Sequence, residues 1–212
     1  LGKSDGTLSS IVSRRYRNGV SSSGDLIVAS ADASFAADAL DRKSISGKLT
    51  TLFGCLTDWQ SKKQPIIATS THEAEIIAMA LVADETIWQR KILHEIGFVL
   101  PAELLTSGEE SDSEFALPGP RLPPSPVLCD SKSAVLSSGN PTNTVRSRHI
   151  DVRYLKVREY ISQGEVRVAH IPGKMNVADF FTKALPSGEF HRYRSILMNA
   201  PIDHGAILRL GN

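Results

Sequence analysis

A mixed α/β sheet covered by helices is the fold class this sequence predicts, and three observations lead there. Strand-like apolar runs follow one another in series before residue 62. The apolar spacing switches to a helical period at Thr71 and holds it for about seven turns. Two short strand-like runs, near residues 126 and 166, then alternate with helical segments.

Taken in order, Leu26 to Ala33 (LIVASADA) is a compact apolar run rich in strand formers and reads as the first core strand. After a polar, turn-like stretch around Asp41 to Ser44, Ile45 to Phe53 and Leu56 to Ser61 read as two more strands with Gly54 at the bend, an antiparallel meander. From Thr71 the apolar residues Ile76, Ile77, Met79, Ala83, Ile87 and Leu93 follow helical spacing, and Gly97 stands where a C-cap glycine would. Ser70 can cap the start, which puts Glu73 at the S-x-x-E spacing of a capping box. Pro126 to Cys129 reads as a very short strand, and a helix follows from about Ser131 to Leu136 until Gly139-Asn140-Pro141 breaks it. A second long helix runs from about Arg146 to Ile161 and stops before Gly164. Val166, Val168 and His170 alternate with Arg167 and Ala169 as a last strand, and a terminal helix begins near Asn176.

The 212 residues, 41% hydrophobic and 22% charged, suit one globular domain or two small ones and exclude collagen-like, disordered and disulfide-scaffold classes. Cys55 and Cys129 cannot build a four-cysteine zinc site and read as buried small apolar residues, while Trp59 and Trp88 read as core. No run approaches the roughly 20 apolar residues of a membrane helix, and no basic-then-apolar leader opens the chain, so an intracellular protein without a membrane partner is expected. Leu1 in place of a starting Met suggests a piece of a longer chain. Residues 1–25, rich in Ser and Gly with Arg14, Arg15 and Arg17, read as a flexible lead-in, and 199–212 as a C-terminal tail.

The net charge of +1 averages two unlike parts. Residues 101–126 hold five acids, one base and six of the 11 prolines, the composition of a long loop without a core; without this insert the remaining chain carries +5. Four acids in that basic body occupy element positions suited to chemistry. Asp32 ends the first apolar strand, Glu75 lies in the first turns of the long helix, Asp130 follows a short strand, and Asp179 lies near the start of the last helix. Singly each has an ordinary reading as a cap or turn residue. Together they form a set of hard oxygen donors suited to Mg²⁺ or Mn²⁺. His72-Glu73 opens like a zinc-protease motif, but the second His would have to stand where Ile76 is, so that match fails.

Eight phrases standing in one order carry a family resemblance: A-D-A-S-F (31–35), R-K-S-I-S-G (42–47), D-W-Q-S-K-K-Q (58–64), S-T-H-E-A-E-I (70–76), I-W-Q-R (87–90), L-C-D-S-K-S-A (128–134), R-H-I-D-V-R-Y (148–154) and V-A-D-F-F-T-K-A-L-P (177–186). Over about residues 26–198 the chain resembles the ribonuclease H domain at the C-terminal end of copia-type LTR-retrotransposon polyproteins. The resemblance implies an RNase H-like fold, a five-stranded mixed sheet with three antiparallel strands followed by two parallel ones and flanking helices. It implies cleavage of the RNA strand of an RNA–DNA hybrid with two Mg²⁺ (or Mn²⁺), a reverse transcriptase polymerase domain upstream in the polyprotein, and a cytoplasmic, virus-like-particle or nuclear setting. Carried over residue by residue, the family's catalytic and metal-binding D-E-D-D set falls on Asp32, Glu75, Asp130 and Asp179, the same four acids. Glu73 is the rival for the second place; Glu75 is preferred because an apolar residue and then the apolar helix follow it.

Departures from the family pattern are also present. The loop before the last acid, I-P-G-K-M-N-V-A-D, has Lys174 or nothing where many relatives place a His; His170 reads as a packed strand residue. Lys62, Lys63, Arg146, Arg148, His149 and Lys174 are candidates for contact with nucleic acid, with Arg153 and Lys156 beside them, and a solvated face explains these charges as well. A catalytically weak or inactive domesticated module that binds nucleic acid or a protein partner stays open as the alternative, as does an RNase H-like nuclease acting on DNA.

Overall fold

The computed structural model describes residues 25–98, 122–139 and 148–198, with the side chains of 148–151 and 154 excepted. Most of the lead-in, insert residues 101–121, Arg146 and the 199–212 tail thus lie outside the described residues. The chain forms β1 (Ile27–Ser34), β2 (Ile45–Leu52), β3 (Cys55–Lys63), α1 (Thr71–Glu95), β4 (Ser125–Cys129), α2 (Lys132–Gly139), α3 (Arg148–Ser162), β5 (Val166–His170) and α4 (Ser187–Leu197). The sheet order is β3-β2-β1-β4-β5. β1, β2 and β3 pair antiparallel, while β4 runs parallel to β1 and β5 parallel to β4, which is the mixed sheet expected from the sequence.

Local chemistry sets these boundaries. Phe53 and Gly54 both take positive φ, the backbone a two-residue hairpin needs, and reverse β2 into β3. Ser70 Oγ accepts from the Glu73 amide at 3.1 Å, and Glu73 Oε2 reaches back to the Thr69 amide and hydroxyl at 2.6 and 2.7 Å, so Glu73 is consumed in capping α1. At the far end Gly97 takes φ +69°, its amide bonds to the His94 carbonyl and the Phe98 amide to that of Leu93, the two bonds of a Schellman stop. Gly164 ends α3 in the same way, its amide and that of Glu165 bonding to the carbonyls of Ile161 and Tyr160.

Alternation along β1 gives the sheet two different faces. Ala29, Ala31 and Ala33 belong to the main buried cluster with Ala74, Ile77 and Ala78 of α1, where short side chains let helix and strand approach closely. On the opposite face Leu49 of β2 packs with Val177, Ala178 and Tyr193. Where the chain re-enters from the insert, Arg90 of α1 holds it: the guanidinium is buried and donates to the carbonyls of Leu122 and Pro123 and to Ser125 Oγ, and pairs with Glu165 at 2.6 Å.

Several expectations need correction. The helix that begins at Asn176 is a short 3₁₀ helix rather than the terminal α-helix. Gly173–Met175 and Val177–Phe181 form two 3₁₀ turns, and α4 starts only after Pro186. The Asn176 side chain accepts from the Ala178 amide and donates to the Ala31 carbonyl, which anchors a tight turn on β1, and Pro186 cannot continue a helix. Trp59 and Trp88 are each 58% exposed rather than core. Trp59 lies on β3, an edge strand, and Trp88 lies with Leu81, Glu85 and Ile92 along the wall of an open cavity of about 780 Å³ shared with Leu52, Thr57 and Asp58. His170 is exposed and its Nε2 lies 3.1 Å from the Asp130 carbonyl oxygen, because it ends β5 beyond the packed part of the strand. Cys129 is buried, whereas Cys55, beside the β2–β3 turn, is only half-buried.

Candidate metal centre

The parallel register that sets Ala29 beside Val127 and Ser30 beside Leu128, carried forward in step, puts Asp32 level with Asp130, the residue just past β4. Glu75 enters from the first turns of α1. Asp179 comes from the 3₁₀ turn Val177–Phe181, laid across β2 on the opposite face of the sheet. Gly47 permits that approach: a Cβ there would sit 2.7 Å from Thr182 Cγ2 and 2.8 Å from the Ala178 carbonyl oxygen. Gly47 is also the residue paired with Asp32 across β1 and β2.

All four acids predicted from the sequence come together. One carboxylate oxygen each from Asp32, Asp130 and Asp179 lies within 4.8 Å of the others, and Glu75 and Asp130 meet the same limit together with the Cys129 thiol. Asp32, Glu75 and Asp179 are buried and Asp130 is half-buried. Burial, and next the charges of Asp32 and Asp130, push the Glu75 carboxyl up to about 8. Burial likewise raises Asp179 to about 6, with Asp32 and Asp130 adding to the shift and Lys183 opposing it, and raises Asp130, with Asp32 adding. The Cys129 thiol is pushed up by burial and then by Glu75, so it stays protonated and donates to Glu75 Oε2 at 3.7 Å.

The donor set fits a hard divalent cation. Four carboxylates crowd at the end of the parallel strands, three of them, Glu75, Asp130 and Asp179, raised by burial and by neighbouring acids, and a divalent cation held by their oxygens would relieve that repulsion. Five residues around them escaped the sequence reading. The Thr182 hydroxyl donates to Asp32, and Lys183 Nζ pairs with Asp179 Oδ1 at 2.9 Å. Asn176 anchors the turn, Gly47 admits it, and Cys129 meets Glu75. For Thr182 and Lys183 a signal was available: they stand three and four residues after Asp179, on the same side of one turn.

The nucleic-acid candidates are dispersed. Lys62 is exposed on β3, and Lys63 is engaged by Asp38 and Asp41. Lys174 is exposed, next to Gly173, where a Cβ would lie 3.1 Å from Asp130 Oδ2. Arg148 and His149 open α3 with undescribed side chains, and Lys156 is tied to Asp84 of α1 at 2.7 Å.

Comparison with known proteins supplies the lineage. The chain is 34% identical over 166 residues to the retrovirus-related Pol polyprotein from transposon TNT 1-94 of Nicotiana tabacum, a match covering 78% of this chain and 11% of that one. It is 28% identical over 181 residues to the Pol polyprotein from transposon RE2 of Arabidopsis thaliana, covering 84% of this chain and 11% of that one. This chain is a relative of the Pol polyproteins of copia-type transposons. It spans about a tenth of the length of these curated relatives. No family model matches the sequence. Among solved structures, a ribonuclease H1 isolated from compost superposes with a TM-score of 0.49 at 15% identity, over 74% of this chain and 93% of that one.

Proposed function

We propose that this Pol-related chain is a metal-dependent ribonuclease H that hydrolyses the RNA strand of RNA–DNA hybrids, working beside a reverse transcriptase polymerase domain upstream in the polyprotein. Residues 26–198 form the unit, with 101–126 as an insert whose last two residues, Ser125 and Pro126, already belong to β4. The observation that carries the reading is the convergence of Asp32, Glu75, Asp130 and Asp179 at one end of the parallel strands.

In this reading the four carboxylates hold two Mg²⁺ or Mn²⁺ ions. Bound there, such ions supply an activated water and charge stabilisation for the leaving oxygen of a phosphodiester. The chain's own residues prepare the site. Thr182 orients Asp32 through its hydroxyl, and Asn176 pins the turn that carries Asp179 to β1. The Glu75 carboxyl, raised to about 8 by burial and then by Asp32 and Asp130, holds a proton at neutral pH and would give it up to serve as a ligand. Lys62, Lys174, Arg146, Arg148 and His149 are assigned to the phosphates, with the 2′-hydroxyls distinguishing RNA from DNA.

The test is incubation of the folded chain with a strand-labelled RNA–DNA hybrid and with duplex DNA, in Mg²⁺ and in Mn²⁺. Cleavage of the RNA strand alone is expected, and Asp130→Asn should abolish it. Cutting of duplex DNA would redirect the reading to a DNA nuclease, and no cutting in either metal would remove the enzymatic reading.

A further inference from the structure

The cluster of acids carries its own cation. Lys183 Nζ lies 2.9 Å from Asp179 Oδ1, and its charge also reaches Asp32 and Asp130. The two ends of this pair differ in freedom: the Lys183 side chain is 48% exposed and that of Asp179 only 11%. Asp179 is therefore held in place while the ammonium has an open path to water. The base of the lysine is fixed by its neighbour, since the Thr182 hydroxyl is tied to Asp32 and the amides of Thr182 and Lys183 both bond to the Asp179 carbonyl. A short turn thus delivers the ammonium to the cluster and keeps it there.

We infer that Lys183 is the built-in counter-ion of the centre: it neutralises Asp179 while no divalent ion is bound, and it leaves that carboxylate when one arrives. This inference rests on the metal reading above. An ammonium and a divalent ion drawn to the same carboxylate carry like charges, and at such separations they repel. Lys183 therefore competes with the ion and sets the metal concentration at which the centre fills. Without the lysine the empty cluster would keep its repulsion unrelieved, so it would be less stable and would bind a divalent ion more tightly. A lysine that serves only as a surface ion pair would alter neither balance.

The experiment is calorimetric titration of the purified chain with Mn²⁺, comparing wild type with Lys183→Met and Lys183→Arg, together with thermal unfolding of each with and without the ion. Lys183→Met should bind Mn²⁺ about three- to fivefold more tightly, the factor expected for release of one partly exposed ion pair. Its metal-free unfolding midpoint should lie below that of wild type, with a larger rise on adding Mn²⁺. Lys183→Arg, which keeps the charge, should stay within about twofold of wild type on the same scale. A wild type that binds Mn²⁺ while Lys183→Met binds it equally or more weakly overturns this inference and leaves the metal reading standing. A folded wild type that binds no Mn²⁺ overturns both.

Discussion

The Thr182 hydroxyl donates to Oδ2 of Asp32, a residue 150 positions earlier in the chain. This bond joins the 3₁₀ turn that carries Asp179 to the strand that carries Asp32, so one hydroxyl sets the spacing of two candidate metal ligands. Thr182→Val keeps the shape and removes the donor. It should cleave hybrid about tenfold more slowly than wild type at the same metal concentration, since small displacements of reacting groups are costly. Its unfolding midpoint should stay within a few degrees of wild type. Rates equal to wild type would show that Asp32 needs no such support.

Gly47 faces the same turn from β2. A methyl group there meets a backbone carbonyl oxygen at 2.8 Å and Thr182 Cγ2 at 2.7 Å, and the carbonyl has no rotamer with which to yield. Gly47→Ala should therefore cost about 1–3 kcal/mol of stability by denaturant unfolding. It should also weaken Mn²⁺ binding, because the displaced turn carries Asp179. A neutral effect on both would mean that the turn is less closely seated than described.

The raised carboxyls give the metal-free protein a distinctive pH dependence. A carboxyl whose pKa is higher in the folded state than in the unfolded chain binds its proton more tightly when folded. Its contribution to stability is complete below the unfolded value and is lost as pH rises through the folded one. For Glu75 that window runs from 4.5 to about 8, and for Asp179 from 3.8 to about 6. Without metal, the unfolding midpoint of wild type should fall relative to that of Glu75→Gln as pH rises from about 5 to 8. Saturating Mn²⁺ should reverse the fall, and binding should release protons. Parallel pH profiles for the two proteins would contradict the assignment.

Arg90 closes the fold at the exit of the insert. Its buried guanidinium serves two carbonyls, a hydroxyl and Glu165, so Arg90→Met leaves several acceptors without a donor. A loss of about 2–4 kcal/mol by chemical unfolding is expected, with metal binding of the surviving folded fraction unchanged. A loss below about 0.5 kcal/mol would indicate that water replaces the arginine freely.

How far the sequence could be read follows from how local each feature is. The meander, α1 with its Ser70 cap and Gly97 stop, and β4 were legible because period, caps and turn residues all lie within a few positions of what they specify. The four acids were legible because each stands at an element boundary within a phrase shared with a known family. The tryptophans were misread because size predicts burial only where a neighbouring element covers the residue, and nothing in the sequence marks β3 as an edge strand. The last segment reads as one helix from Asn176, whereas Asn176 caps only a 3₁₀ turn that it ties to Ala31, a contact across 145 residues, and the α-helix starts at Ser187. Gly47 carried no local signal, since its role depends on a turn more than 130 residues downstream.

In the proposed centre Asp32, Glu75, Asp130 and Asp179 together hold divalent ions. Anomalous diffraction from crystals soaked in Mn²⁺ tests this most directly. The expected result is anomalous density enclosed by the four carboxylates, with Lys183 drawn away from Asp179. Well-ordered crystals in saturating Mn²⁺ with no anomalous density among these carboxylates, and Lys183 still paired to Asp179, would contradict it.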